Sequence, residues 1–239
     1  MRIKKMFLIA SLKQPNRLMS VSRVYHHAVM AGVIAVAMLS VLASHSYASE
    51  TESDRTQAAA EMVENLIFEI QDIAANSITQ DEIYVQADQI INRYFKYETL
   101  ASFSIGPYWR KATDEQKHRF LITFREVIIE QAANNFDYFR SLEYRFQSAE
   151  KKGENWIIVN GMVHDTTGQY PDAVVSWRIS DTAGQELYIF DLSFENVSML
   201  LTQKDENMAV IRQNKGSLDA LNDLLEKRSI ELKQARLEN

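Results

Sequence analysis

The stretch Trp156-Ile157-Ile158-Val159-Asn160-Gly161-Met162-Val163 decides the fold. It is short, apolar and rich in β-branched residues, which marks a strand rather than a helix. Three further segments of the same kind flank it, residues 142–149, 173–180 and 187–194. Gly153-Glu154-Asn155 and Asp181-Thr182-Ala183-Gly184 have the composition of hairpin turns, and 166–171 forms a looser one. Four strands joined by short turns predict an antiparallel meander.

Outward from this block the apolar period changes from 2 to 3.6. Upstream, Met62, Val63, Leu66, Ile67, Ile70, Ile73 and Ala74 form one helical stripe from Ala58 onward. Thr79-Gln80-Asp81-Glu82 has the form of a capping box. It opens a second helix that places Ile83, Ala87, Ile90, Ile91, Tyr94 and Phe95 on one face. A short helix over 98–103 ends at Gly106-Pro107, and a second cap, Thr113-Asp114-Glu115-Gln116, starts a long helix over 114–139. Its stripe is Phe120, Phe124, Val127, Ile128, Gln131, Ala132 and Phe136. Downstream, helices are expected over 203–213 and from the Ser217 cap, the last carrying Leu218, Leu221, Leu224 and Leu225. The class is α+β, one four-stranded sheet packed by about five to seven helices.

The strands carry more apolar surface than one buried face needs. Tyr188, Phe190, Leu192 and Phe194 alternate with Leu187 and Ile189, and Ile157, Val159 and Val163 oppose Trp156, Ile158 and Met162. Both faces therefore require cover. Helices on each side would supply it, the arrangement these residues favour. Helices on one side and an apolar cavity holding a ligand would supply it too.

The N-terminus reads as an export signal. Residues 1–27 contain Arg2, Lys4, Lys5, Lys13, Arg17 and Arg23 and no acid, and an apolar run covers 28–43. Ser46 and Ala48 then occupy the −3 and −1 positions of a cleavage site. Cleavage after Ala48 is expected, and Met19 is an alternative start. A retained anchor is the competing reading, but the 16-residue run is shorter than the roughly 20 residues that span a bilayer. With no cysteine there is neither a disulfide framework nor an acylated cysteine anchor. Removing six basic residues leaves 20 Lys+Arg against 32 Asp+Glu, a net charge of −12. That balance argues against nucleic acid as a partner and against adsorption to anionic membrane surfaces. Residues 49–56 are expected as a disordered tail and 57–235 as a single domain.

Reactive groups are sparse. His118 lies in a solvated helical stretch and His164 at a strand end, where a dyad with Asp191 is the one enzymatic arrangement open. Asp191 interrupts an apolar strand, as a structural carboxylate or as an acid–base group. There is no metal-binding, phosphate-cradling or nucleophile-elbow motif. Tyr108-Trp109-Arg110-Lys111 suits core packing with snorkelling cations better than a membrane contact.

Specific strings add a resemblance. Ile105-Gly106-Pro107-Tyr108-Trp109-Arg110-Lys111-Ala112-Thr113-Asp114-Glu115-Gln116-Lys117-His118-Arg119-Phe120, continuing to Phe124-Arg125-Glu126, resembles the hallmark of the MlaC family, also called the toluene-tolerance or auxiliary ABC-transport family. Trp177-Arg178-Ile179, Phe190-Asp191, Val197-Ser198-Met199 and Lys215-Gly216-Ser217-Leu218-Asp219-Ala220-Leu221 fit looser blocks of the same pattern, over about residues 58–228. Departures stand at Leu187, where the family has tryptophan, at Asn196, where it has glycine, and over Leu201-Thr202-Gln203-Lys204.

The resemblance implies a non-enzymatic, monomeric periplasmic carrier without cofactor. Such a carrier moves phospholipid between an outer-membrane lipoprotein–porin complex and an inner-membrane ABC transporter with an MCE-domain subunit, and maintains outer-membrane lipid asymmetry. Acyl chains would lie in a pocket between sheet and helices, and another apolar lipid such as a hopanoid would suit the same walls. Periodicity and motif position nominate Phe120, Phe124, Val127 and Ile128 as helical lipid contacts. Val175, Trp177, Ile179, Phe190, Leu192 and Val197 are the strand-side candidates, with Tyr108, Arg125 and Arg178 at the mouth. A small-molecule enzyme using His164 and Asp191, and an envelope interaction protein with a solid core, are the competing functions.

Overall fold

A computed structural model describes residues 38–76 and 79–238. The chain divides into two compact units, Met1–Arg55 and Thr56–Asn239. The basic segment and most of the apolar run of the expected export signal lie outside the described residues. Helix α1, Met38–Asn76, contains the stretch 49–56 that was expected to be a disordered tail. Glutamate, arginine, glutamine and alanine favour helix between Glu50 and Ala60, and no glycine or proline interrupts the stretch. No helix among the described residues is long and apolar enough to cross a membrane.

The remaining helices are α2 (Gln80–Tyr94), α3 (Tyr97–Ile105), α4 (Pro107–Lys111), α5 (Asp114–Asn134), α6 (Phe136–Phe139), α7 (Met199–Gln213) and α8 (Leu218–Leu237). Both predicted capping boxes close. Glu82 N–H donates to Thr79 Oγ1 at 3.2 Å and Thr79 N–H to Glu82 Oε2 at 3.0 Å. Thr113 and Gln116 repeat the exchange at 3.2 and 3.1 Å. Gly106 separates α3 from α4 with φ 53°, a conformation that costs glycine little. The long helix expected to reach Phe139 stops at Asn134. The side-chain amides of Asn134 and Asn135 donate to the carbonyls of Glu130 and Gln131, at 2.7 and 2.6 Å, and so serve acceptors at the helix end.

The sheet is an antiparallel meander, β1 (Leu142–Lys151), β2 (Trp156–Asp165), β3 (Ala173–Ser180) and β4 (Tyr188–Phe194), with a fifth strand, β5 (Val197–Ser198), on its edge. A two-residue strand carries no period, so it escaped the four-strand reading. Its hairpin turns through Glu195 and Asn196, both at positive φ (49° and 63°), as a tight β-hairpin requires. Asn196 replaces the glycine of the family pattern, and asparagine tolerates this conformation better than most residues. Gly161 is required for a different reason. A Cβ there would stand 2.2 Å from Cε2 of Tyr144, whose ring crosses the strand at that point.

One sheet face, formed by Ile157, Val159, Val175, Trp177, Ile179 and Ile189, packs on α1 and α2 and on Ile129, Ala133 and Phe136. On the other face Trp156, Ile158 and Met162 are half-buried. Among the described residues this face is less fully covered than the first, with Phe103 of α3 reaching Phe190 beside Trp156. A second cluster lies between helices: Ala101 and Ile105 of α3, Phe120, Phe124 and Val127 of α5, Ile211 of α7, and Leu218, Leu221 and Leu225 of α8. Helix α5 serves both cores, and Ile128 packs against each.

The last helix, α8, runs on to Leu237. Arg236, in the last turn of α8, is 3% exposed. It donates to Glu130 Oε2 at 2.8 Å, to Asp81 Oδ1 at 2.8 Å and to the Gln80 carbonyl at 3.0 Å.

Three tyrosines make alkaline stability testable. Burial, followed by the hydrogen bond to Glu126, pushes Tyr84 up to about 12; burial and Glu69 do the same for Tyr94, and burial for Tyr144. Unfolded tyrosine titrates near 10. The folded state therefore binds these protons more tightly. Their contribution is complete below pH 10 and is lost as pH rises through about 12. Phenolate absorbance followed with circular dichroism should show these tyrosines ionising only as structure is lost. Complete ionisation near pH 10 in an intact fold would contradict this.

Candidate functional site

Between the two cores, at the edge of β4, lies an apolar pocket of about 210 Å³. Ile91 and Phe95 enter from the end of α2, Tyr97 and Leu100 from α3, and Phe124 and Ile128 from α5. Phe190, Asp191 and Leu192 of β4 and Met199, Leu200 and Gln203 of α7 complete the wall. Phe95 is held beside the sheet by a parallel bridge to Ile189, so the connector after α2 acts as a short extra edge.

The wall depends on a bulge. Ile179 pairs with Ile189 and Arg178 with Asp191, which leaves Phe190 as an extra residue in β4. Ile189, not Phe190, therefore shares a face with Leu192 and Phe194, and the strict alternation expected for 188–194 is corrected. Released from the ladder, Phe190 meets Phe103 and Trp156, with ring centroids 5.4 and 5.0 Å away.

Of the expected contacts, Phe124, Ile128, Phe190 and Leu192 line the pocket. Phe120 and Val127 do not; they sit in the interhelical core. Val175, Trp177 and Ile179 belong to the sealed sheet face against α1 and α2, and Val197 lies on β5. At the expected mouth, Arg125 is ion-paired with Asp88 and lies 5.6 Å from the Tyr97 ring, a pocket residue. Arg178 stands opposite Asp191. Tyr108 is elsewhere, packed on the interhelical core with Trp109, which confirms the core reading of that tryptophan. Ile91, Phe95, Tyr97, Leu100, Met199, Leu200 and Gln203 were not nominated. Ile91 and Phe95 read as ordinary helix core, and the others come from element ends that only the tertiary fold brings together.

Asp191 is structural. Buried, its carboxylate accepts from Ser198 Oγ at 2.6 Å and from the Leu200 N–H at 3.1 Å. Ser198 in turn caps α7 by accepting from the Leu201 N–H at 3.0 Å. The carboxylate thus anchors the N-terminus of the helix that supplies Met199, Leu200 and Gln203, where negative charge suits the helix dipole. His164 instead meets Asp172, Nδ1 to Oδ1 2.6 Å, so the His164–Asp191 dyad does not form. Gln203 turns its amide to Asn207 at 2.9 Å. Among the described residues no cluster of histidine or carboxylate could hold a metal ion. The pocket offers apolar contact rather than reactive chemistry.

Comparison with known proteins gives the family and the fold. The family model described as MlaC protein matches residues 42–227. The chain also shares its fold with the phospholipid-binding protein from Ralstonia solanacearum, solved in complex with a phospholipid. The TM-score is 0.61 at 17% identity, with 75% of this chain and 97% of that chain covered.

Proposed function

The chain belongs to the MlaC family, and on that premise we propose that it is a periplasmic phospholipid carrier. It takes lipid at one membrane complex and delivers it at another, between an outer-membrane lipoprotein–porin complex and an inner-membrane ABC transporter with an MCE-domain subunit. The observation that carries this reading is the apolar pocket at the β4 edge, with its one carboxylate already engaged by Ser198 and Leu200.

Two acyl chains hold roughly 30 methylenes, worth on the order of 24 kcal/mol on leaving water at about 0.8 kcal/mol each. A bilayer offers the same gain, so a carrier need only match it, and apolar walls suffice. The pocket, about 210 Å³, is below the roughly 300–1,000 Å³ of sites that enclose drug-sized ligands. A two-chain lipid therefore requires the walls to part. The seam between two separately packed cores is where they can do so at least cost, because neither core need open. Direction comes from partners that bind the loaded and empty forms unequally.

Native mass spectrometry of the exported protein, with lipid extraction and uptake from phospholipid vesicles, tests the proposal. One bound phospholipid per chain is expected. Empty protein that takes nothing from vesicles would refute it.

A further inference from the structure

Phe190 lines the pocket and also joins a row of half-buried rings. Phe103 and Trp156 flank it, at 5.4 and 5.0 Å. A cation stands at each end of the row. Lys204 Nζ lies 4.1 Å from the centre of the Phe103 ring, and the Arg178 guanidinium carbon 5.9 Å from that of Trp156. A third, Lys96 Nζ, lies 4.6 Å from the Tyr188 ring, two residues before Phe190. Each is coupled to the pocket wall. Lys96 falls between Phe95 and Tyr97, Lys204 follows Gln203, and Arg178 opposes Asp191.

These cations differ from most others beside the site. Arg125 is paired with Asp88, Arg93 with Glu69, and Arg119 with Asp223 and Glu226. Among the described residues no carboxylate ion-pairs with Lys96 or Lys204. Arg178 Nη1 is 3.9 Å from Asp191, beyond hydrogen-bond reach, and that carboxylate is already engaged by Ser198 and Leu200. In a chain with 32 acidic and 26 basic residues, Lys96 and Lys204 rest on rings rather than on acids, and Arg178, paired with Asp191 only at 3.9 Å, keeps its remaining donors for a ligand. The rings hold them in place through cation–π attraction, and lysine and arginine donors suit a phosphate oxygen.

We propose that Arg178 and Lys204, at the two ends of the Phe103–Phe190–Trp156 row, and Lys96, over Tyr188, form a basic strip beside the pocket that attracts the phosphodiester of the lipid whose chains enter it. The site would make the carrier selective for phospholipid over uncharged lipids of equal chain length. It rests on the carrier reading above.

The test uses exported protein from cells expressing the full chain, and vesicles of phosphatidylethanolamine and phosphatidylglycerol doped with diacylglycerol of the same chains. The natural protein is expected to extract phospholipid in preference to diacylglycerol. The triple variant K96Q/R178Q/K204Q should lose that preference by on the order of tenfold or more, as expected for lost charge-assisted hydrogen bonds, while its diacylglycerol uptake is unchanged. That unchanged uptake also reports an intact fold. A control, R145Q/K152Q/K227Q, removes equal charge from exposed residues that each already face a carboxylate, and should keep the preference.

Retained preference in the strip variant, or equal loss in the control, overturns the proposal. Equal extraction of both lipids by the natural protein overturns it while the carrier reading stands; uptake of neither removes both. Binding of glycerol 3-phosphate as tightly as phospholipid would assign the strip to a free phosphate ester and overturn it as well.

Discussion

Replacing Arg236 by alanine is expected to destabilise the fold by about 3–5 kcal/mol, the range for breaking a buried ion pair by removing one partner. Glu130 is 2% exposed and would be left buried without its partner. Arg236 also joins three elements, since it reaches Glu130 on α5 and both Asp81 and the Gln80 carbonyl at the start of α2. Asn134 adds a nearby tie from α5 to α8, donating to the Leu232 carbonyl at 2.9 Å. Urea unfolding measures the loss. Because most of it comes from the stranded carboxylate, the R236A/E130A double variant should lose less than the sum of the two single variants. Additive losses, or a loss below about 1 kcal/mol for R236A, would mean that water reaches Glu130.

The second large effect concerns the pocket wall. Asp191→Ala removes a buried acceptor from the Ser198 hydroxyl and the Leu200 N–H, and is expected to cost about 2–4 kcal/mol. The damage is directional. Ser198 loses its orientation as the cap of α7, and the first turns of α7 carry three of the pocket residues. Lipid uptake from vesicles should therefore fall further than global stability explains. Asp191→Asn keeps an acceptor oxygen and should cost roughly half as much. If D191A lowers stability while uptake stays intact under folding conditions, Asp191 supports the fold but does not shape the pocket.

The elements themselves were legible because their signals are local. Capping boxes at Thr79 and Thr113 and the Ser217 cap involve residues three apart, and all three close. The change of period at Leu142 marks where helix gives way to sheet. Only about a third of the pocket was legible. Phe124, Ile128, Phe190 and Leu192 follow from stripe and motif position. Trp177 and Ile179 misled because alternation assigns a face without saying which face is sealed. The bulge at Phe190 then exchanged two residues that alternation had placed on opposite sides.

What the sequence determined alone is therefore the class, the meander, the helix starts and the family resemblance, all of which rest on contacts within a few residues or on strings. Three things were decided only by tertiary structure: the pocket's position at the seam of two cores, the use of Asp191 as an anchor for α7, and the ion-pair cluster at Arg236. Arg236 binds Glu130 across 106 positions and the Gln80 carbonyl across 156. No period or motif encodes a meeting at that range; it follows from how the helices pack once the sheet is in place.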